Sequence, residues 1–425
     1  MTDSASTTAP ERSVEIVTIG DELLLGFTVD TNAAVIAREL AAMGMSITRR
    51  STVGDDAGAI QSAVREALDR AGAVITTGGL GPTSDDRTKP AIAALFGREL
   101  ELDEAHLDWM RQRWRTRFGR ELPEANRRQA MMPRGSRTLE NRHGSAPGVW
   151  LEDERGRWVA MLPGVPREMR GMLADTLLPL LRDRVGDDGR VVRSRTLRST
   201  GIAESLAADR IERAPALAEG VAIAYLPSVE GVDIRLTVRG HEVAAADALL
   251  ESAAAVVRGA IGEWIYGEDG ADLAAVVLDR CRAASRTLAV AESCTGGLLG
   301  GRLTAIPGSS DVFLGGVIAY ADAVKESLLD VEATAIGQDG AVSERVARAM
   351  AEGARARTRA DIALSVTGIA GPSGGTTDKP VGTVCIALAL GDGTQAVRLR
   401  LWGDREEIRR RSAQAALELL RRRFA

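Results

Sequence analysis

Apolar and polar positions alternate between strand and helix patterns along the first 180 residues of the chain. Short apolar runs predict strands at Val14–Ile19, Ile47–Val53 and Ala73–Thr77, and apolar residues at helical spacing predict helices over Thr31–Met43 and Ala57–Ala71. Strands that alternate with helices form mostly parallel sheets with helices on both faces. The pattern therefore predicts a three-layer α/β domain.

The rest of the chain divides into a shorter pattern and a second α/β pattern. Residues 190–263 carry three short strand candidates and two helical stretches, which predict a small α+β domain. Charged or glycine-containing segments, Arg182–Gly189 and Tyr266–Gly270, are predicted linkers. Beyond them, strands are predicted at Leu288–Ala291, Gly316–Tyr320, Ile362–Thr367, Val384–Leu390 and Ala396–Leu401. Overall, two three-layer α/β domains, residues 13–182 and 271–425, are joined by the small α+β domain.

Composition narrows the function classes. A net charge of −5 and an aromatic content of 3% argue against direct nucleic-acid binding, and the run Arg111–Arg117 is interpreted as a solvated helix face. The three cysteines form no Cys-x-x-Cys pair, which is typical of reduced thiols in a cytoplasmic protein. No apolar run is long enough for a membrane span, and residues 1–12 resemble a polar tail and not a signal peptide.

A serine and a lysine in the last domain indicate hydrolytic chemistry. Only three of 54 basic residues are lysines, and Lys325 follows a strand that should lie beside the strand ending near Ser293. A buried lysine can lose its proton and act as a base, whereas arginine stays protonated. Ser293 is the predicted nucleophile and Lys325 its base. The alternative for Ser293 is an N-cap serine, and for Lys325 a surface amine.

Neighbouring residues complete the predicted site. Tyr320 could relay the proton or orient the lysine amine, and the N–H groups of the Thr295–Gly297 turn, Gly296 included, could stabilise an oxyanion. Thr367 and Gly368 end a strand where a ligand can approach closely. Arg405 opposes the dipole of the last helix, a position that favours phosphate binding over stability. Cys294 is interpreted as buried packing.

Residues 271–425 resemble the nicotinamide-nucleotide amidase family. The resemblance is carried by Ala291–Gly297, Tyr320–Lys325, Thr367–Pro372, Lys379–Val384 and Gly403–Arg405. It implies deamidation of nicotinamide mononucleotide by Ser293 and Lys325, with no cofactor. Tyr320, Thr367 and Arg405 match further active-site positions of that family. The chain departs from the family pattern at Asp322, where asparagine is common.

The first domain carries a glycine-rich turn and four acidic residues. Gly78, Gly79, Gly81 and Thr83 follow the strand Ala73–Thr77, and their N–H groups could cradle phosphate. Hard carboxylate oxygens suit a divalent cation that bridges a pyrophosphate, and the four candidates are Asp21, Glu22, Asp85 and Asp86. The alternative for Asp85 and Asp86 is simple helix capping.

These first-domain motifs, with Leu162–Met169, resemble the molybdopterin-binding-like domain of the CinA family, and the domain order extends that resemblance over nearly the whole chain. It implies hydrolysis of ADP-ribose to AMP and ribose 5-phosphate with Mg²⁺, Mn²⁺ or Co²⁺. The expected partners are small nucleotides and a second copy of the chain. The alternative is a non-enzymatic protein, either a molybdopterin-binding module or an adaptor in competence or DNA damage.

Overall fold

The computed structural model describes residues 12–186 and 190–424. These residues form two compact units. One unit runs to Arg193 and also includes Val238–Asp247, and the other comprises Ser194–Thr237 and the chain from Ala248 onward. No described helix is both long and apolar enough to span a bilayer.

The N-terminal domain is built from eight strands and seven helices within the described residues. The strands are β1 (Ser13–Ile19), β2 (Ser46–Val53), β3 (Ala73–Thr77), β4 (Leu100–Leu102), β5 (Met131–Pro133), β6 (Arg137–Leu139), β7 (Gly148–Glu152) and β8 (Trp158–Leu162). The helices are α1 (Asp21–Leu24), α2 (Asn32–Ala42), α3 (Ala57–Ala71), α4 (Thr88–Leu95), α5 (Glu104–Phe118), α6 (Pro166–Met172) and α7 (Leu178–Val185).

Its main sheet has the order β2-β1-β3-β8-β7-β6, and β4 pairs with β5 separately. The four strands from β2 to β8 are parallel, whereas β7 runs antiparallel to both neighbours. Alternate residues of β3 enter different cores: Ile75 packs with Ile36 of α2, and Val74 packs with Val64 of α3. Because the sheet is buried on both faces, the domain has the predicted three layers.

The small domain comprises β9 (Arg190–Ser199), α8 (Glu204–Glu212), β10 (Ala222–Pro227), β11 (Val232–Glu242), α9 (Val243–Ile261) and β12 (Ile265–Glu268). Its sheet has the order β10-β11-β9-β12. The strand β12 covers most of Tyr266–Gly270, so the linker predicted there is wrong. The segment is instead an edge strand of the sheet, in which Gly267 pairs with Arg198 of β9. The linker predicted at Arg182–Gly189 falls partly on residues 187–189, outside the described residues.

The C-terminal domain has five strands and six helices within the described residues. The strands are β13 (Leu288–Glu292), β14 (Phe313–Ile318), β15 (Ile362–Gly368), β16 (Thr383–Leu390) and β17 (Gly393–Arg400). The helices are α10 (Leu273–Ala283), α11 (Leu298–Thr304), α12 (Asp322–Leu329), α13 (Ala333–Asp339), α14 (Glu344–Thr358) and α15 (Arg405–Arg423).

Three neighbouring strands of this domain end at the same edge. The sheet order is β14-β13-β15-β16-β17, and β13 is parallel to β14 and β15. Leu288 of β13 packs with Leu417 of α15 on one face, and Ala289 packs with Met350 of α14 on the other. A capping box between Asp404 and Glu407 begins α15. The carboxyl ends of the parallel strands thus project between two helical layers, where α/β sheets bind ligands.

Candidate functional sites

The carboxyl edge of the C-terminal sheet collects the residues that were singled out in this domain. Ser293 directly follows β13, Tyr320 lies two residues beyond β14, and Thr367 belongs to the end of β15. The Ser293 amide donates to the Val366 carbonyl at 2.9 Å, which fixes the serine against β15. The side chain of Ser293 is buried, with a residue exposure of 7%. Parallel strands therefore bring together residues that are far apart in sequence.

Arg405 and Tyr320 meet at this edge. Arg405 Nη2 donates to the Tyr320 hydroxyl at 3.2 Å, and Nη1 donates to the Gly371 carbonyl at 2.6 Å. No carboxylate among the described residues forms an ion pair with Arg405. Its positive charge is held in place by neutral acceptors, so it is available to an anionic group such as a phosphate.

Lys325 is almost fully buried, with 1% exposure, and its amine is not unpartnered. Nζ donates to Asp322 Oδ1 at 3.0 Å and to the Tyr320 carbonyl at 3.2 Å. Within the described residues it makes no hydrogen bond to the Ser293 hydroxyl. The burial of Lys325 excludes the alternative that it is a surface amine. The amine is ion-paired, however, because residue 322 is an aspartate.

The turn after Ser293 differs from the prediction. The buried carboxylate of Glu292 accepts the Gly297 and Leu299 amides at 3.0 Å and the Gly300 amide at 2.7 Å. The Gly296 amide donates to the Ser293 carbonyl. The first amides of α11 are therefore bound by Glu292, a residue that the sequence reasoning missed. Gly296 and Gly297 consequently have no free N–H group to offer a ligand. Among the described residues, the Thr295 amide has no hydrogen-bond acceptor.

Two further predicted contacts are corrected by burial. The Thr367 side chain donates to the Ala341 carbonyl at 2.8 Å and the residue is 1% exposed, so its hydroxyl is a structural donor. The Thr295 side chain is fully buried as well. Gly368 serves packing, because a Cβ there would lie 3.0 Å from the Cys294 sulfur. Burial raises the pKa of the Cys294 thiol to about 12, which agrees with its interpretation as packing.

In the N-terminal domain, the glycine-rich turn after β3 is closely packed. Gly78 and Gly79 have φ of 112° and 65°, and a Cβ would collide with the Ile19 carbonyl or the Thr88 hydroxyl. Asp86 accepts the Gly81 amide at 2.7 Å and the Thr83 amide at 2.8 Å. Asp86 thus shapes the turn and also lines the adjoining cavity, so its role as a metal ligand stays a prediction.

A cavity of about 510 Å³ opens beside this turn. Gly78, Gly79 and Gly81 line it, together with the carboxylates of Glu22, Asp55 and Asp85. Asp55, at the end of β2, was missed by the sequence reasoning, because a single aspartate after a strand is a common turn residue. Desolvation first, and then the charges of Asp21, Glu22 and Asp85, raise the pKa of Asp55.

Asp21 has a supporting position in this cluster. Its carboxylate accepts the Asp55 amide at 3.3 Å, and the Asp21 amide donates to Asp55 Oδ2 at 3.0 Å. No three His, Cys, Asp or Glu side chains among the described residues come together closely enough to hold a metal ion alone. Mg²⁺ commonly takes one or two carboxylates and completes its shell with water and substrate phosphates. Asp55 with one of its neighbours, Glu22 or Asp85, fits that role, since a cation would offset the carboxylate charges that raise the pKa of Asp55.

Asn32 is a second residue that the sequence reasoning missed. Its side-chain amide donates to the Thr77 hydroxyl at 3.0 Å and to the Gly164 carbonyl at 2.8 Å. Its Oδ1 atom is buried and has no hydrogen-bond donor among the described residues. Asn32 also lines the 510 Å³ cavity, so it joins the strand end of β3 to the wall of that cavity.

Comparisons with known proteins identify three segments. Residues 15–183 match the model described as "Probable molybdopterin binding domain", residues 194–267 match "Damage-inducible protein CinA KH domain", and residues 270–424 match "CinA C-terminal domain". A CinA-like protein of Gemmatimonas aurantiaca is 61% identical over 97% of this chain and 96% of its own length. One from Desulfovibrio desulfuricans is 44% identical over 97% and 96%.

The chain is also similar in sequence to two solved structures that cover part of its length. The structure of a competence/damage inducible protein from Agrobacterium tumefaciens is 41% identical over 35% of this chain and 91% of that one, with a TM-score of 0.34. The structure of the protein CinA from Thermoplasma acidophilum is 34% identical over 42% and 99%, with a TM-score of 0.37. On the full-length identity of its relatives, the chain belongs to the CinA family, whose members are named as competence- and damage-inducible proteins.

Proposed function

We propose that the C-terminal domain is an amidohydrolase that converts nicotinamide mononucleotide and water to nicotinate mononucleotide and ammonia. The observation that carries this proposal is the convergence of Ser293, Tyr320 and Lys325 with the unneutralised Arg405 at one sheet edge. Arg405 binds the 5′-phosphate, beside the Tyr320 ring, which is 62% exposed and whose hydroxyl accepts from the same guanidinium. The carboxamide then lies toward the buried serine.

The reaction proceeds through an acyl-enzyme intermediate. Ser293 Oγ attacks the carboxamide carbon as its proton passes to the amine of Lys325, and the Thr295 amide stabilises the oxyanion. Lys325 returns the proton to the leaving nitrogen, and ammonia departs. Water then attacks the acyl carbon, gives its proton to Lys325, and releases the carboxylate with the Ser293 hydroxyl restored.

The test is ammonia release from nicotinamide mononucleotide. Replacement of Ser293 by alanine removes the attacking oxygen, and we expect turnover to fall by about a thousand-fold or more, as for other serine nucleophiles. A Ser309→Ala variant is the matched control, since Ser309 is similarly buried but lies in the loop before β14. Equal turnover in the Ser293 variant and wild type would eliminate Ser293 as nucleophile.

As a second activity, we propose that the N-terminal domain hydrolyses the pyrophosphate of ADP-ribose to AMP and ribose 5-phosphate. Support comes from the cavity that combines the glycine-rich turn with Glu22, Asp55 and Asp85. The Gly79 and Leu80 amides make no hydrogen bond within the described residues and can receive a phosphate oxygen. A divalent cation held by these carboxylates would neutralise phosphate charge and activate water.

The competing possibility is a binding module for a molybdopterin-type ligand, which the first matched segment favours. AMP release from ADP-ribose that requires Mg²⁺, Mn²⁺ or Co²⁺ and stops with chelator supports the enzyme. Tight pterin binding without AMP release supports the module. Both domains handle small nucleotides in this proposal, in a cytoplasmic homodimer, and neither needs nucleic acid.

A further inference from the structure

Aromatic side chains are scarce in this chain, yet three of them border one cavity in the N-terminal domain. The chain has six tryptophans, five phenylalanines and three tyrosines. Trp109, Trp114 and Phe118 of α5 line a cavity of about 310 Å³. The Trp114 and Phe118 rings lie 4.5 Å apart, as expected for residues one helical turn from each other. Part of α5 therefore presents an aromatic wall to an open space.

The arginines of α5 fall into two pairs, one beside these rings and one paired with carboxylates. Arg113 lies 5.1 Å from the centre of the Trp109 ring, and Arg117 lies 5.3 Å from that of Phe118. Both line the cavity, and neither forms an ion pair within residues 12–186 and 190–424. By contrast, Arg111 and Arg115 of the same helix are paired with carboxylates.

All four arginines of the run are exposed, in agreement with its interpretation as a solvated helix face. Arg111 and Arg115 are paired with carboxylates, whereas Arg113 and Arg117 lie beside aromatic rings at the cavity. The guanidinium groups at the cavity remain positive beside aromatic faces. This combination binds flat heteroaromatic rings, because a ring can stack on tryptophan or on a guanidinium plane.

The aromatic cavity adjoins the cavity at the glycine-rich turn. Ser145, Val165 and Glu168 lie on the walls of both. A ligand whose phosphates rest on the turn can therefore extend past these shared residues into the aromatic cavity. Nucleotides have this shape, with an aromatic base at a fixed distance from phosphate.

We propose that the cavity lined by Trp109, Arg113, Trp114, Arg117 and Phe118 is a base subsite, which receives the nucleobase of a nucleotide bound at the glycine-rich turn. The proposal rests on the nucleotide site of the second proposed activity and adds the determinant that selects a base-bearing ligand. Stacking on Trp114 supplies affinity that a sugar phosphate without a base cannot gain.

The experiment compares two small phosphates, AMP and ribose 5-phosphate, by calorimetric titration of the full chain with Mg²⁺ present. Trp114→Ala should weaken AMP binding by about ten-fold or more and leave ribose 5-phosphate binding unchanged, since only the base stacks. Trp114→Phe, which keeps an aromatic face, should recover most of the AMP affinity. The matched control is Trp264→Ala, because Trp264 is also half-buried but lies in the small domain.

The outcomes separate this subsite from the proposed activity. Equal weakening of AMP and ribose 5-phosphate, unchanged AMP binding in Trp114→Ala, or no AMP binding by wild type would each overturn the subsite. Selective loss of AMP binding supports it even if ADP-ribose is not cleaved, and in that case only the hydrolytic activity fails. Cleavage of ADP-ribose with the same KM in wild type and Trp114→Ala would retain the activity and reject the subsite.

Discussion

Lys325 Nζ lies 3.0 Å from Asp322 Oδ1, and this buried ion pair joins the predicted base to a carboxylate one helical turn before it. The amine also donates to the Tyr320 carbonyl at 3.2 Å, so both of its hydrogen bonds are made at the start of its own helix. The proposed mechanism has this amine take the proton of Ser293. Asp322 therefore sets the position from which the base works.

Replacement of Asp322 by alanine removes the ion pair that positions the amine, and it should lower kcat for deamidation by about ten-fold. Asparagine keeps an oxygen acceptor for the lysine and should retain most of the activity. The measurement is ammonia release from nicotinamide mononucleotide, and Asp330→Ala is the control, because Asp330 is an exposed carboxylate at the end of the same helix, paired with Arg357. An unchanged kcat in Asp322→Ala would argue against Lys325 as a base held by Asp322.

The Cys294 thiol should take no part in the reaction. Burial raises its pKa to about 12, above its ordinary value, so the thiol stays protonated at pH 8 and contains almost no thiolate. Iodoacetamide at pH 8 should leave deamidation intact, and Cys294→Ala should retain activity within a few fold. Rapid inactivation that nicotinamide mononucleotide prevents would instead make Cys294 the nucleophile.

Arg405 should distinguish the nucleotide from the nucleoside. Its guanidinium is held by Tyr320 and Gly371 without a carboxylate partner, and a substrate phosphate would complete its hydrogen bonds. Arg405→Met should lower kcat/KM for nicotinamide mononucleotide by about a hundred-fold, from the loss of a charge-assisted contact. Nicotinamide riboside, which lacks the phosphate, should be hydrolysed equally by both proteins. Equal losses on the two substrates would assign Arg405 a structural role.

The sequence pattern predicted the layers and the sheet edge well, because these depend on periodicity and on where strands end. Ser293 and Tyr320 were placed at that edge by strand order alone. Which donors and acceptors pair with each other could not be predicted in the same way. Glu292 belongs to an apolar strand, and its contact with the amides of α11 depends on how the next turn closes.

The acidic cluster shows the same difference between position and contact. Asp86 and Asp55 both line the cavity, but Asp86 accepts the Gly81 and Thr83 amides of its own turn, whereas Asp55 accepts the amide of Asp21 from another loop. Sequence spacing cannot separate these two outcomes, because both residue types suit turns and metal sites equally. The three-dimensional path of the loop decides between them.

Glu292 should be a major source of stability in the C-terminal domain. It is 1% exposed and accepts three backbone amides at the start of α11. Glu292→Gln replaces one oxygen by an NH₂ group that cannot accept them, which should cost about 2 kcal/mol. One calorimetric transition should fall by about 4–8 °C. Glu352→Gln, at an exposed position on α14, should shift none, and an equally small effect at Glu292 would contradict its capping role.

Asp55 should destabilise the N-terminal domain at neutral pH when no cation is present. Its pKa is raised by desolvation and by nearby carboxylates, so the stability it contributes is fully present below its unfolded pKa and is lost as pH rises through the higher folded value. Asp55→Asn keeps the oxygen that accepts the Asp21 amide and removes the charge. In EDTA at pH 7 this variant should raise the midpoint of one calorimetric transition above that of wild type.

The advantage of Asp55→Asn should disappear in two conditions. At acidic pH, where Asp55 is protonated in both the folded and unfolded states, the midpoints should converge. With Mg²⁺ and AMP present, wild type should gain more than the variant, because the cation binds the carboxylate that the variant lacks. Asp183→Asn, outside this cluster, is the control. A variant that is stabilised equally by Mg²⁺ would show that the cation is held without Asp55.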